Sequence, residues 1–389
     1  MKKVRLGDIA TVITKGTTPT TLGYNFVDDG VNFVKIESIT ENGEFLTDKF
    51  AHISDECNRK LSRSQLQRND LLFSIAGAIG RTAIVTDEIL PANTNQALAI
   101  IRVPEGEVDY SYLKYVLQSP AIVEQLEKKK QGVAQLNISL KDIGVFVIPL
   151  RTAEEQKSIV ATMDKVNGLI ALRKEQLAKL DQLVKSRFIE LFGDPMTNNK
   201  GYTLKTYGDL FELNAGGTPS KQKAEYWDNG TISWIGSNMC QNTVIYENDG
   251  NYITEEGLKH SSARMFPVDT VLIALVGATI GKTALLKFET TTNQNVLGVR
   301  RIRENGYTPE FIFYYTQGLY QKFLNVGDGG FAMASKGFIS ELPVPVVDIA
   351  HQELFTSFVE QTDKSKLTIQ ASLDKLELLK KSLMQQYFG

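Results

Sequence analysis

Cysteine and histidine are scarce in this sequence. The only cysteines, Cys57 and Cys240, lie in different halves and belong to no Cys-x-x-Cys or Cys/His cluster. This excludes a disulfide framework and provides no zinc-ligand spacing. His52, His260 and His351 are also far apart. We therefore expect two free thiols, and we propose no metal site.

Long apolar runs are missing as well. The longest, residues 271–280, is interrupted by Gly277 and Thr279 and falls short of the roughly 20 residues that cross a bilayer. Near the N-terminus, Asp8 interrupts the apolar stretch that a secretion signal requires. The sequence therefore predicts a cytoplasmic protein with no membrane segment.

Neither sign of charge is in excess, because 43 Lys and Arg stand against 45 Asp and Glu. Phosphate neutralisation supplies most non-specific affinity for DNA. If this chain binds DNA, its positive surface is therefore local, or partner proteins share the contacts. A length of 389 residues exceeds what one core usually supports, so two or more domains are expected.

The main feature present is an internal repeat with a period of about 200 residues. Short motifs recur in the same order: Gly16-Thr17-Thr18-Pro19 as Gly216-Gly217-Thr218-Pro219, Gly80-Arg81-Thr82-Ala83 as Gly281-Lys282-Thr283-Ala284, and Thr94-Asn95-Gln96 as Thr292-Asn293-Gln294. Residues 149–193 align with residues 345–389 without a gap, with ten identities in 45 positions. The halves share a scaffold while their loops differ, which predicts two similar but non-identical targets.

Each half changes character after about 150 residues. The first part contains short β-like runs, with helical stretches at residues 110–130 and 309–326. Apolar residues then recur at alternating spacings of four and three, which is typical of a coiled-coil seam. The seam residues are Met163, Val166, Ile170, Leu177, Leu180 and Val184 in the first half, and Val359, Ile369, Leu373, Leu376 and Leu383 in the second.

The starts and ends of the two long helices are also visible. Thr152 and Glu155 form a capping box, whereas Gly193 and Pro195 end the first helix. Asp348 is the candidate N-cap of the second helix. About 40 helical residues span about 60 Å, too long to be covered by one small domain, so each helix is expected to pair with the other. An antiparallel pairing would place the two globular domains at opposite ends.

At this point the chain resembles the specificity subunits of Type I restriction-modification systems. The resemblance rests on the duplicated architecture, the approach Asn137-Ile138-Ser139, the pair Glu155-Gln156 and the join Leu191-Phe192-Gly193-Asp194-Pro195. It covers essentially the whole chain. One departure is His351, where the family has Glu before the glutamine of the second helix.

The resemblance implies an α+β fold with two similar target-recognition domains separated by two long antiparallel coiled-coil helices. The expected domains are residues 1–150 and 194–347, and the helices are residues 151–193 and 348–389. Each domain would read one half of a split, asymmetric site in double-stranded DNA. The helices would fix the unread spacer and dock two adenine methyltransferase subunits, and translocase-nuclease subunits would join for cleavage. Half-sites one helical turn apart, roughly 34 Å, are compatible with helices of this length.

Candidate DNA-contacting residues combine basic groups for phosphates with amides and hydroxyls suited to base edges. In the first half they are Lys15, Thr17, Thr18, Arg59, Lys60, Arg63, Lys128, Lys129, Lys130, Gln131, Gln135 and Asn137. In the second half they are Ser220, Lys221, Lys259, Arg264, Ser335 and Lys336. Solvated helix ends and ordinary turns explain the same residues, so both interpretations stay open.

The motifs of the partner enzymes are not found. An adenine methyltransferase would carry an Asn/Asp-Pro-Pro-aromatic tetrapeptide, and none occurs. Residues 277–283 have three residues between glycines where a P-loop has four, so a tight turn is predicted instead. We expect no catalysis and no cofactor in this chain, with S-adenosylmethionine and ATP on partner subunits. The alternatives are the recognition subunit of a Type IIB-like system, or a non-catalytic scaffold or regulator.

Overall fold

The computed structural model describes residues 2–104, 106–130, 138–301, 306–326 and 333–389. The chain forms two compact units. The first contains Met1–Lys174 together with Ala371–Gly389, and the second contains Glu175–Gln370. Each unit mixes helices and sheets. Among the described helices, none combines the length and apolar character that crossing a membrane requires.

The strands of the first unit are short. They are β1 (Lys2–Arg5), β2 (Val12–Lys15), β3 (Val31–Val34), β4 (Ala51–Ile53), β5 (Leu71–Ser74), β6 (Thr82–Ile84), β7 (Ala92–Thr94), β8 (Leu98–Arg102) and β9 (Val147–Leu150). Within the described residues the main sheet has the order β2-β8-β5-β6, and a second sheet has the order β4-β3-β7 with β3 parallel to β7. Strands β1 and β9 form an antiparallel ribbon.

The helices of the first unit are α1 (Leu6–Ile9), α2 (Asp55–Lys60), α3 (Tyr110–Leu117), α4 (Pro120–Lys130), α5 (Leu140–Gly144) and α6 (Ala153–Phe192), of which α6 continues into the second unit. The sequence predicted one helix over residues 110–130, but it is broken before α4. Pro120 has no N–H to continue the preceding helix and is favoured at a helix start.

The main sheet of the first unit is covered on both faces. Leu71 and Phe73 of β5 belong to the core formed with α3 and α6, whereas Leu72 between them belongs to the core shared with the second sheet. This follows from the alternation of side chains along a strand. All three are fully buried, and burial of such a side chain contributes about 1.5–3 kcal/mol.

The second unit repeats this plan. Its strands are β10 (Leu204–Thr206), β11 (Phe211–Ala215), β12 (Ile232–Ile235), β13 (Thr243–Ile245), β14 (Tyr252–Ile253), β15 (Met265–Phe266), β16 (Val271–Ala274), β17 (Thr283–Leu286), β18 (Thr290–Thr292), β19 (Val296–Arg301) and β20 (Pro343–Pro345). The main sheet has the order β11-β19-β16-β17-β13, and the second sheet has the order β14-β12-β18-β15. Strands β12 and β18 are parallel, like β3 and β7.

The remaining helices are α7 (Tyr207–Leu210), α8 (Glu255–Lys259), α9 (Pro309–Gly318), α10 (Tyr320–Leu324), α11 (Lys336–Ser340) and α12 (Ile349–Phe388). The helical stretch predicted at residues 309–326 is thus divided between α9 and α10. The segments between β5 and β6 and between β16 and β17 connect antiparallel neighbours. The predicted tight turn at Gly277 is confirmed.

Helix α6 runs without a break through Gly168, and α6 and α12 each have 40 residues. In the first unit Met163 of α6 shares a core with Met384 of α12, and Lys174 pairs with Glu377 at 3.0 Å. In the second unit the ring centroids of Phe188 and Phe355 are 5.3 Å apart, and Lys366 pairs with Asp181 at 2.6 Å. Within each unit, residues further along α6 lie beside residues earlier in α12. The two helical segments are therefore antiparallel.

Candidate nucleic-acid interface

The main sheet of each unit has one end at which separate loops converge. In the first unit the loop after β2 (residues 16–19) meets the turn after β7 (residues 94–96). Ile75, just beyond β5, donates its N–H to the Ala97 carbonyl at 2.8 Å, and Ile138 donates to Ile75 at 3.0 Å. In the second unit Leu275 donates to Asn295 and Ala334 donates to Leu275, at 2.8 and 2.9 Å. We call each convergence the loop edge of its unit.

Glycine is required where the two loops touch. A Cβ atom on Gly16 would lie 1.8 Å from the Thr94 carbonyl oxygen, and one on Gly216 would lie 2.4 Å from the Thr292 carbonyl oxygen. These distances are far inside van der Waals contact. Only a residue without a side chain allows this approach, which explains why Gly16 and Gly216 recur in the sequence repeat.

The turn after β7 has the same internal hydrogen bond as the turn after β18. The Asn95 Oδ1 atom accepts the N–H of Ala97 at 3.1 Å, and the Asn293 Oδ1 atom accepts the N–H of Asn295 at 3.0 Å. An asparagine side chain that bonds its own main chain two residues on stabilises a turn. The turn therefore presents the next residue, Gln96 or Gln294, outward, and both glutamines are exposed.

A side-chain hydrogen bond joins the two loops of each loop edge. The Thr18 hydroxyl donates to Gln96 Oε1, and the Thr218 hydroxyl donates to Gln294 Oε1. Sequence reasoning included Thr18 but not the glutamines, although Thr-Asn-Gln was recognised as a repeat. Only the recurrence of Thr-Asn-Gln could have pointed to the glutamines. Thr18 and Gln96 are 78 residues apart, so local spacing does not reveal that they are partners.

The structure places six of the twelve residues predicted in the first half on the segments around this edge. Lys15 is exposed at the end of β2, which contacts the short 3-10 turn Ser62–Ser64 that carries exposed Arg63. Arg59 and Lys60 are exposed in the last turn of α2. Asn93, next to Thr94, donates to the Leu61 carbonyl at 3.2 Å and so links this basic segment to the turn.

In the second unit the loop after β11 carries Ser220 and Lys221, both exposed. Trp227 and Trp234 donate their indole N–H groups to the carbonyls of Ser220 and Gly217, each at 3.1 Å. A Cβ atom on Gly217 would meet Ser262 and Ala263, which places this loop against the segment between Lys259 and Arg264. Arg264 donates to Asn214 Oδ1 at 3.3 Å.

The last group of predicted DNA-contacting residues lies between Lys128 and Asn137 in the first half and at Ser335 and Lys336 in the second. Lys128 pairs with Glu124 at 2.8 Å on the surface of α4 and lowers the pKa of that carboxyl group. The side chains of Lys129 and Lys130 and the whole of residues 131–137, including Gln131, Gln135 and Asn137, lie outside the described residues. Ser335 caps α11, because its hydroxyl accepts the N–H of Phe338 at 3.1 Å, and Lys336 is exposed.

The predicted seam residues share low exposure. Met163, Val166, Val184, Val359 and Leu373 are buried. The remaining seam residues are half-buried, namely Ile170, Leu177, Leu180, Ile369, Leu376 and Leu383. Thr362 and Lys366, which align with the seam residues Val166 and Ile170, are polar and also lie on this face. Lys366 is 2.6 Å from Asp181. A strip of low exposure thus follows the predicted pattern along both helices.

A glutamine in the first turn ties each long helix to its own unit. The Gln156 Oε1 atom accepts the N–H of Asp109 at 2.8 Å, and its Nε2 atom donates to the carbonyls of Glu107 and Arg151. Gln352 makes the equivalent bonds to Thr308, Gly306 and Val347. Both glutamines are buried, so all three bonds of each are shielded from water. Sequence alignment identified the pair but not this role.

The residues next to Gln156 and Gln352, at the starts of α6 and α12, differ between the two helices. The predicted capping box is confirmed, since Thr152 and Glu155 exchange hydrogen bonds, which lower the pKa of the Glu155 carboxyl group. In the second unit Asp348 precedes α12, and His351 lies 3.9 Å from its carboxylate. Among the described residues, no group of three His, Cys, Asp or Glu is arranged to hold a metal ion.

Two copies of one α+β domain, each presenting basic and amide side chains on convergent loops, are typical of a duplicated nucleic-acid-recognition protein. The family of Type I restriction modification DNA specificity domains matches the chain twice, over residues 1–182 and 199–378. The chain therefore belongs to this family and carries its domain in duplicate.

Named relatives agree with this assignment. The chain is 26% identical over 282 residues to the Type I restriction enzyme EcoR124I/EcoR124II specificity subunit of Escherichia coli, covering 69% of this chain and 67% of that protein. It is 29% identical over 177 residues to the EcoBI specificity subunit of Escherichia coli, covering 44% of this chain and 36% of that protein. The second alignment thus spans only about a third of that relative.

The fold is shared with solved structures. The Type I restriction-modification S subunit from M. genitalium has a TM-score of 0.56 at 15% identity, with 100% of this chain and 96% of that chain covered. A chain from a structure of the type I R-M system has a TM-score of 0.64 at 17% identity, with 99% and 96% covered. At these identities the likeness concerns the fold.

Proposed function

We propose that this chain is the non-catalytic DNA-recognition subunit of a Type I restriction-modification enzyme in the cytoplasm. Each unit reads one half of an asymmetric, bipartite site in double-stranded DNA. The observation that carries the proposal is the loop edge, which is built twice on the same scaffold but with different exposed side chains. One scaffold with two sets of side chains fits two half-sites of unlike sequence.

The charge distribution supports DNA binding at the loop edges. The chain as a whole has a formal charge of −2, yet Lys15 and Arg63 are exposed near one loop edge, and Lys221 and Arg264 near the other. Local cations contact phosphates, whereas loop side chains that differ between the units read base edges. Because the total charge is unfavourable, we expect tight binding only when partner subunits supply further phosphate contacts.

The outer faces of the long helices fit the docking of two adenine methyltransferase subunits. In the first unit Leu169 and Leu172 of α6, with Leu378 and Leu379 of α12, are exposed. In the second unit Leu183 of α6 is exposed, with Leu354 and Leu367 of α12. Exposed apolar residues that lie side by side mark protein–protein contacts, and Leu169 and Leu172, three residues apart, are neighbours on the surface of α6. One docking face in each unit accounts for two such subunits.

Catalysis belongs to the partners in this proposal. The methyltransferase subunits would hold S-adenosylmethionine, and translocase-nuclease subunits would use ATP and cleave the DNA. This chain would contribute the choice of site and the spacing between half-sites. The missing catalytic motifs of the sequence support this division of labour.

The test is selection of randomised duplex DNA by the chain mixed with the methyltransferase subunit encoded beside it. We expect two short motifs at a fixed separation. Replacing residues 1–150 with those of a relative should change one motif and leave the other motif and the spacer unchanged. A single uninterrupted motif, or no enrichment, would refute the proposal and favour a scaffold or regulator.

A further inference from the structure

We propose that Gln96 and Gln294 contact DNA phosphates through their side-chain amide N–H groups, each glutamine being held in position by Thr18 or Thr218. This inference rests on the proposed function, because it assumes that the two loop edges face DNA. It adds to the candidate interface two residues that sequence reasoning left out, and it assigns them a ligand and an orientation.

The hydrogen bond between the loops leaves a defined group free. In each unit the carboxamide oxygen accepts the threonine hydroxyl. The Nε2 atom of neither glutamine donates a hydrogen bond to a described residue, so two N–H donors remain on each. The glutamine side chains are exposed, whereas Thr18 and Thr218 are half-buried behind them. The threonine thus fixes the amide plane with its donors toward solvent.

Stability alone does not account for this arrangement. A hydrogen bond between two neutral groups contributes about 0.5–1.5 kcal/mol, and less where water competes for both partners. The two loop edges differ at neighbouring positions. Thr17 is replaced by Gly217, and Lys15 by Ala215. Glycine at the close contact, threonine and glutamine nevertheless occur in both copies, and an exposed glutamine that recurs with the same partner and geometry points to a shared ligand.

The shared ligand is the DNA backbone rather than a base. The two units read different half-sites in the proposed function. A contact that both units make in the same way therefore cannot distinguish the two DNA half-sites. Phosphates are the same in every half-site, and contacts to them fix the register of a protein on the duplex. Base reading then falls to other loop residues that differ between the units, such as Thr17, which is replaced by Gly217.

The neighbouring charges suit this ligand. Lys15 and Arg63 lie near the first glutamine's loop edge and bring positive charge to it. Arg264, held by Asn214, brings positive charge to the second. A neutral amide placed among such cations adds directed hydrogen bonds to a phosphate without adding charge.

The main variants are Gln96→Glu and Gln294→Glu, studied in the complex with the methyltransferase subunit. Each keeps the side-chain shape but replaces the two donors with an anionic oxygen. We expect each variant to bind the selected site about tenfold or more weakly. The base preferences in a repeated selection should stay the same at every position, and the thermal unfolding midpoint should not change.

A matched control is Gln67→Glu, which introduces the same charge change at an exposed glutamine outside the loop edge. Its affinity should stay within about twofold of the unmodified chain. If Gln96→Glu and Gln67→Glu behave alike, the contact is refuted. If Gln96→Glu changes the preferred base at one position, the glutamine reads a base and the assignment to phosphate is wrong.

The threonine tests the positioning role. Thr18→Val removes the hydroxyl but keeps the branched shape, so the amide loses its orientation and affinity should fall. Thr18→Ser restores the hydroxyl and should recover affinity; if both behave alike, Thr18 does not position Gln96. Failure of the proposed function gives a different result, because the unmodified complex would then show no bipartite preference.

Discussion

Trp227 and Trp234 stand edge to face in the second unit, with ring centroids 5.3 Å apart and ring planes at 80°. Their indole N–H groups hold the loop after β11 by two of its carbonyls. In the first unit Phe26 and Phe33 form the corresponding pair, at 5.4 Å and 66°. A phenyl ring has no N–H to donate, so the loop after β2 lacks this support.

The first prediction follows from this difference. The double variant Trp227→Phe and Trp234→Phe removes both hydrogen bonds while keeping aromatic packing, at a cost of about 0.5–1.5 kcal/mol for each bond. We expect base preference to broaden in the half-site read by the second unit and to stay unchanged in the other. Selection of randomised DNA measures both half-sites in one experiment. Equal broadening of the two would contradict the prediction.

The second prediction concerns Gln156. Gln156→Leu should destabilise the first unit because it leaves the N–H of Asp109 and the carbonyl of Glu107 without their partner. Each unpaired buried group costs about 1–3 kcal/mol. Urea unfolding should show a lower midpoint. Lys157→Leu, at the next and exposed position, is the control and should change the midpoint little.

Gln352→Leu should have the same effect in the second unit. A segment-resolved readout such as hydrogen exchange should then show loss of protection in residues 306–326 for Gln352→Leu and in residues 106–120 for Gln156→Leu. If Gln156→Leu proves as stable as Lys157→Leu, the three hydrogen bonds are not what ties the helix to its unit.

The third prediction compares two leucines of α12. Leu373 is 5% exposed, whereas Leu378 is 69% exposed. Leu373→Ala should cost about 2–5 kcal/mol of stability because it leaves a cavity. Leu378→Ala should leave stability within about 0.5 kcal/mol but weaken binding of the methyltransferase subunit. Thermal unfolding and a binding titration separate the two effects. A reversed pattern would show that the packed and docking faces were assigned the wrong way round.

The fourth prediction concerns the thiols. Cys57 and Cys240 are fully buried, and burial raises the pKa of Cys240 to about 12. At pH 8 this thiol is protonated and therefore a poor nucleophile. An aromatic disulfide reagent should label neither cysteine in the native chain and both in urea. Rapid labelling of Cys240 without urea would mean that the core around it opens readily.

The local and periodic features of the fold were predictable from the sequence. The seam spacing predicts α6 and α12, and Thr152 with Glu155 marks where α6 begins. The repeat predicts that both halves share one fold. The breaks before Pro120 and after Gly318 were missed, because the apolar pattern continues across them while the main chain does not.

The candidate site was less predictable. Lys15, Thr18 and Lys221 are predicted because basic and hydroxyl groups in glycine-proline loops suggest phosphate contacts, and their contact with DNA stays a prediction. Gln96 was not among the predicted residues because its partner Thr18 is distant in sequence and meets it only through the antiparallel pairing of β2 with β8. Ser335 is predicted to contact DNA because of its hydroxyl and its position beside Lys336, and this stays a prediction. The structure adds a second role, since the hydroxyl oxygen accepts the N–H of Phe338 and caps α11.

The division of the chain into units has a consequence for the order of folding. The second unit, Glu175–Gln370, is one continuous stretch nested inside the first, which needs Ala371–Gly389 to be complete. During synthesis the second unit therefore has all its residues available while the first still lacks the helical turns that carry Met384 and Phe388. The first unit therefore begins to be synthesised before the second but is completed after it. Until α12 is finished, the first unit exposes the apolar surface that Met384 and Phe388 later cover.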